Sequence, residues 1–132
     1  MIYGIGNDII EIDRISKAME RNPRIIDKLF SGREKDMLES KGFKPESVAG
    51  NFSAKEAVVK SLGTGLRGFK LQDLEILRDE VNKPYVVTSG RLRDICRDRG
   101  ISQIMVTISH SKDYASATAI ALTQPSSDAE SR

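Results

Sequence analysis

Between Tyr114 and Thr123 every second residue is alanine: Ala115, Ala117, Ala119 and Ala121. Strict alternation is the period of a strand, whose successive side chains point to opposite faces. Nothing larger than a methyl group lines the alanine face, so an element that covers it can pack very close. The candidate for that element is a long helix that starts at Pro45 or Glu46 and reaches Leu62. Proline is tolerated in a first helical turn, and Gly63 and Gly65 supply the exit.

A chain of 132 residues can bury a real core but is short for two, so one compact α/β domain is expected over residues 1–123. From Gln124 onward the chain is polar, which predicts a disordered tail over 124–132. Hydrophobic residues make up 39% and charged residues 30%, an ordinary balance for a soluble protein. A net charge of +2 does not announce nucleic acid, and 5% aromatics leaves little for base stacking. Cys96 is the only cysteine, which excludes an internal disulfide and fits a reducing cytoplasm. The start, MIYGIGNDIIEID, lacks the basic segment of a signal peptide, and no apolar run approaches the roughly 20 residues that span a bilayer.

Ile2 to Ile12 is isoleucine-rich and predicts a strand. Its alternation sets Gly4, Gly6, Asp8, Ile10 and Ile12 on one face, Tyr3, Ile5, Asn7 and Ile9 on the other. Asp13 is expected to cap a helix from Arg14 to about Arg21, and Pro23 to open a short one from Arg24 to Phe30. Ser31 and Glu34 have capping-box spacing for a helix that ends near Ser40. Leu71–Arg78 and Tyr85–Thr88 read as a hairpin around Val81-Asn82-Lys83-Pro84. Ser89 is the expected cap of a helix from Gly90 to about Arg99, and Gln103–His110 reads as a strand.

Phe52, Glu56 and Lys60 stack on one face of the long helix, a carboxylate one turn before an ammonium. One reading is a surface ion pair contributing about 0.3 kcal/mol. The other is a phosphate and cation site: Mg²⁺ commonly takes one or two carboxylates with water and phosphate, and an ammonium neutralises the same phosphate. Asp8 is a poor strand former in need of a partner, either a lysine or a ligand approaching over Gly6. His110, the only histidine, sits between Ser109 and Ser111 at a strand end, where ligand groups collect in open α/β sheets. The three are candidate phosphate contacts, with an ordinary surface histidine as the alternative. Arg14, Lys17 and Arg21 share a helix face, either simply solvated or a dock for an acidic partner.

Three stretches, GIGNDIIEIDRI, FSAKEAVVKSLGTG and ISHSKDYASATAIA, occur in that order from Met1 to about Thr123. Together they resemble the holo-acyl-carrier-protein synthases, the small 4′-phosphopantetheinyl transferases of bacterial fatty-acid synthesis. That resemblance implies transfer of phosphopantetheine from coenzyme A to a serine of apo acyl carrier protein, releasing adenosine 3′,5′-bisphosphate. It implies an α/β (α+β) fold, an antiparallel sheet with the long helix packed across it. Asp8 and Glu56 match the motif positions of the Mg²⁺ ligands, with Mn²⁺ as the alternative metal. Lys60 matches the residue that offsets pyrophosphate charge. Gly63, Thr64 and Gly65 would run along the coenzyme, and Ser109, His110 and Ser111 would line its nucleotide end. The resemblance further implies a homotrimer with active sites between subunits, and a carrier-protein dock on Arg14, Lys17 and Arg21. Asn51 departs from the pattern: an arginine for coenzyme phosphate is expected there, and asparagine brings no charge. A coenzyme-binding module without catalysis is the competing reading. Asp8 discriminates, because a site that only held phosphate would gain little from two facing carboxylates.

Overall fold

In the computed structural model, which describes residues 1–63 and 68–124, the alanine strand is the centre of a three-stranded antiparallel sheet. The elements run β1 (Ile2–Glu11), α1 (Ile12–Arg21), α2 (Ile25–Leu29), α3 (Gly32–Ser40) and α4 (Pro45–Leu62). A 3₁₀ turn at Leu71–Asp73 then leads into β2 (Leu74–Arg78), β3 (Pro84–Thr88), α5 (Gly90–Asp98), β4 (Ile101–His110) and β5 (Tyr114–Thr123). The first sheet has the order β1-β5-β4, and β2 and β3 form the expected hairpin as a separate pair. Register places Asp8 opposite Ala117 and Ile108 opposite the same alanine from the other side.

Helix α4 lies across this sheet. Ala115, Ala117, Ala119 and Ala121 are all buried, as are Ala54, Ala57, Val58 and Leu62 of the helix. A second cluster gathers Ile15, Phe30, Leu38 and Val48 under the N-terminal half of α4. Close approach is tightest on β1. A Cβ at Gly4 would stand 2.0 Å from the Ser61 carbonyl oxygen, and one at Gly6 would stand 1.9 Å from that of Ala57. Thus the room beside Gly6 is taken by the helix backbone and is not left for a ligand.

Some local expectations need correction. Helix α1 begins at Ile12, whose N–H donates to the Asp113 carbonyl at 2.8 Å, so β1 passes into the helix without a linker. Asp13 therefore falls inside the first turn, not at the cap, and pairs with Lys17 at 2.8 Å. Ser89 stands at the N-cap of α5, but its side chain makes no capping bond: its N–H and hydroxyl both donate to the Asp73 carbonyl. The capping box of Ser31 and Glu34 forms as expected. The tail expected over 124–132 lies, beyond Gln124, outside the described residues.

Glu34 and Lys55 are fully buried against each other. Lys55 Nζ donates to Glu34 Oε1, which also accepts from the Ser31 N–H; Oε2 accepts from Asn51 Nδ2 and the Ile76 N–H, each at 3.1 Å. Burial pushes the Glu34 carboxyl up and the Lys55 ammonium down, while each partner pulls the other back toward its charged form. Lys55 Nζ also lies 5.2 Å from the centroid of the Phe30 ring. Asn51 belongs to this network. It is fully buried and donates to Glu34 and the Ile76 carbonyl, so it faces the core and not a coenzyme phosphate.

The β1–α4 contact generates a direct test. Gly6→Ala should destabilise the protein by about 3 kcal/mol, because the new methyl meets backbone that cannot turn aside. A melting temperature lowered by roughly 10 °C is expected. A drop under about 2 °C would show that the helix is not seated on this strand.

Candidate active site

Helix α4 turns one face to β1, and three polar side chains on that face converge on Asp8. Lys60 Nζ is 3.0 Å from Asp8 Oδ1 and 3.0 Å from the Asn7 carbonyl oxygen. Ser53 Oγ is 3.1 Å from the Asp8 carbonyl oxygen and 3.2 Å from Asp8 Oδ2. Glu56 sits between them in sequence, its carboxyl pushed up first by burial and then by the negative charge of Asp8, against the pull of Lys60. Both carboxylates thus share one site, as the metal reading requires. Asp8 is 15% exposed and Lys60 51%, so the cluster is walled by protein on Asp8's side and opens to solvent past the lysine.

A cation beside the Glu56 carboxylate would favour its charged form, as Lys60 does in part. Among the described residues no group of three or more His, Cys, Asp or Glu could hold a metal. A structural zinc set is therefore missing from the described residues, while a pair of hard oxygen donors suits Mg²⁺, which keeps water and phosphate in its other positions. Sequence reasoning passed over Ser53. Its signal was spacing: three residues before Glu56 and seven before Lys60 put it on the same helix face.

The other predicted coenzyme contacts do not all gather here. His110 ends β4, opposite Ala115, which faces Ile10 of β1. Two strand spacings of about 4.8 Å therefore separate His110 from β1. It lines a cavity of about 210 Å³ with Lys41, Glu46, Ser47, Gly50, Arg78 and Asn82, so two basic side chains that the sequence did not single out, and one carboxylate, share that cavity with it. Ser109 points to the opposite face of the strand from His110. Ser111 Oγ accepts from the Tyr114 N–H at 3.2 Å and shapes the turn into β5. Gly63 ends α4 with φ 114°, a conformation that favours glycine. Arg99 donates to the Leu62 carbonyl at 2.7 Å and to the Tyr3 hydroxyl at 3.1 Å, tying that helix end to β1. Thr64 and Gly65 lie outside the described residues.

Arg14, Lys17 and Arg21 are exposed on α1, and the Lys17–Asp13 pair is itself solvated. Because α1 follows β1 directly, this basic face is fixed relative to Asp8 by a continuous piece of backbone. No helix among the described residues is long and apolar enough to cross a membrane.

The 4′-phosphopantetheinyl transferase superfamily profile matches residues 4–119. The chain is 49% identical over 121 residues to the holo-[acyl-carrier-protein] synthase of Alkaliphilus metalliredigens, covering 92% of this chain and 99% of that one. It is 50% identical over 123 residues to the synthase of Fusobacterium nucleatum, covering 92% and 100%. Among solved structures, holo-[acyl-carrier-protein] synthase from Neisseria meningitidis superposes with a TM-score of 0.86 at 29% identity, covering 93% of this chain and all 100% of that one. The Helicobacter pylori synthase, solved in complex with coenzyme A, gives 0.79 at 28% identity, covering 89% and 99%. By sequence along nearly its whole described length, and by fold, the chain belongs to the 4′-phosphopantetheinyl transferase superfamily.

Proposed function

We propose that this protein transfers 4′-phosphopantetheine from coenzyme A to a serine of apo acyl carrier protein, giving holo acyl carrier protein and adenosine 3′,5′-bisphosphate. The observation that carries the reading is the meeting of Asp8, Glu56 and Lys60 at the β1–α4 contact, in a chain whose matched relatives are holo-acyl-carrier-protein synthases. In the reaction the serine oxygen forms a bond to the pantetheine-side phosphorus, the phosphorus–oxygen bond to the nucleotide breaks, and the serine proton is lost. Asp8 and Glu56 would hold a Mg²⁺ or Mn²⁺ ion, which supplies charge neutralisation on the pyrophosphate. Lys60, the most exposed of the Asp8-bonded groups, would offset charge on the same anion. Gly63, and Thr64 and Gly65 beyond it, are the candidates for backbone contact along the coenzyme. His110, with Lys41 and Arg78 around the same cavity, is suited to a phosphate at the nucleotide end. Ser109 and Ser111 flank it. The transferase domain is taken as residues 1–123, and a cytoplasmic setting fits its single thiol, Cys96, which is buried.

The same reading includes a homotrimer with sites between subunits. Two features support it. The sheet face away from α4 exposes Tyr3 (40%), Ile5 (62%), Ile9 (64%) and Met105 (46%), an apolar surface with no covering layer among the described residues. Asp8 and His110 also stand on opposite edge strands of one chain, so one coenzyme could meet both by lying between neighbours.

Asp8→Asn and Glu56→Gln should each leave a folded protein with kcat/KM lowered by about a hundredfold or more, roughly 3 kcal/mol of lost stabilisation of the reacting phosphate. Near-normal rates in either variant at ordinary Mg²⁺ would remove the metal-ligand assignment. Light scattering should give about three times the 14.6 kDa chain mass. A monomer mass at micromolar concentration with activity intact would reject the trimer. Reversing Arg14 and Arg21 to Glu should raise KM for the acidic carrier protein and leave coenzyme binding unchanged. Exposed charges act over about 10 Å at roughly 0.1 M salt, so the wild-type rate at low carrier concentration should fall as salt rises. The reversed variant should lose most of that dependence. Parallel salt curves for the two proteins would show that α1 is not the dock.

A further inference from the structure

Ser53 is fully buried in α4 and lies three residues before Glu56. A serine inside a helix ordinarily turns its hydroxyl back onto a carbonyl of its own helix. Ser61 of the same helix does so, donating to the Val58 carbonyl at 2.7 Å. Ser53 instead reaches across to β1, where its hydroxyl lies within bonding distance of both the main-chain oxygen and Oδ2 of Asp8. Alanine would serve the helix better and would bury no hydroxyl. Helix formation gives no reason for an oxygen at this position; Asp8, through its main-chain oxygen and its carboxylate, does.

An aspartate carboxylate turns broadly about its last torsion. Two hydrogen-bond donors on α4 hold that of Asp8: Lys60 at Oδ1 and Ser53 at Oδ2. They differ in freedom. Lys60 is half exposed on a flexible stem, whereas Ser53 has no exposed surface and one short side-chain torsion. The buried hydroxyl is the fixed restraint and the lysine the exchangeable one. Partners that orient a ligating carboxylate without touching the metal commonly change metal affinity by about 10- to 100-fold when removed.

We infer that Ser53 is a positioning residue: its hydroxyl, within bonding distance of Oδ2 and the main-chain oxygen of Asp8, restrains the carboxylate that with Glu56 would hold the divalent cation. This rests on the reading of Asp8 and Glu56 as metal ligands, and the test separates the two. Mn²⁺ binding is titrated by electron paramagnetic resonance with coenzyme A present and carrier protein absent, for wild type, Ser53→Ala and Asp8→Asn, with coenzyme alone as the blank. Melting temperatures are measured in parallel. Ser53→Ala should weaken Mn²⁺ binding about tenfold with its melting temperature nearly unchanged. In turnover it should raise the Mg²⁺ concentration needed for half-maximal rate, and saturating Mg²⁺ should restore most of kcat. If Asp8→Asn binds Mn²⁺ as wild type does, the metal reading fails and the role of Ser53 falls with it. If Asp8→Asn loses Mn²⁺ while Ser53→Ala binds within twofold of wild type, the metal reading stands and the positioning role is overturned. A lower melting temperature with unchanged Mn²⁺ affinity would likewise mark Ser53 as purely structural.

Discussion

The close contact between the backbone of α4 and the two glycines of β1 determines where everything else can be. With no Cβ at Gly4 or Gly6, the carbonyls of Ser61 and Ala57 come to rest on the strand itself. The next residue on that strand face is Asp8, and the helix residues over it are Ser53, Glu56 and Lys60. Ser53 and Lys60 reach Asp8 at hydrogen-bond distance, about 3 Å, because the two elements stand no further apart than backbone contact allows. A methyl at Gly6 would lift the helix by more than a hydrogen bond can stretch. The candidate site thus takes its precision from packing, with the flat alanine face of β5 extending the same close approach.

The opposite side of α4 is held by chemistry of another kind. Lys55 and Glu34 are both without exposed surface, and Glu34 collects donors from Lys55, Asn51, Ser31 and Ile76. A buried pair of this kind adds little stability over an apolar pair of similar volume, yet losing one member leaves an uncompensated charge that costs several kcal/mol. The four donors to Glu34 come from α4, from β2 and from the residue that caps α3, so the network ties the three elements together at one carboxylate. Lys55 and Glu56 are neighbours in sequence, and fixing Lys55 inward turns Glu56 to the face of β1. The ion pair in the core therefore helps aim the carboxylate at the site.

Much of this was legible in the residues. Period-two alanines, the Pro45 and Gly63 boundaries of α4, and the capping box of Ser31 and Glu34 are local signals, and they formed where local physics places them. The misreadings share a cause, which is that a sequence does not say what stands opposite a residue. Gly6 signals clearance, but only the fold shows that a helix fills it. Asn51 falls beside a functional motif, yet the helical period carries it to the buried face with Glu34. Asp13 has the chemistry of a cap, but Ile12 finds its partner in Asp113 and starts the helix earlier. Lys41 and Arg78 are far from His110 in sequence, and only the fold brings the end of α3 and the end of β2 to one cavity with the end of β4.

The layout also bears on the proposed trimer. The sheet is three strands wide, with Asp8 on β1 at one edge and His110 on β4 at the other, and β5 between them presents only buried methyl groups under α4. The far sheet face exposes Ile5 and Ile9. Packing those faces together about a threefold axis would bury the isoleucines and could bring the β4 edge of one subunit toward the β1 edge of the next. The basic face of α1 continues directly from β1, so a carrier protein docked there would bind on the same element that supplies Asp8. In the proposed trimer, then, metal and carrier-protein docking belong to one chain, and the nucleotide end of the coenzyme belongs to its neighbour.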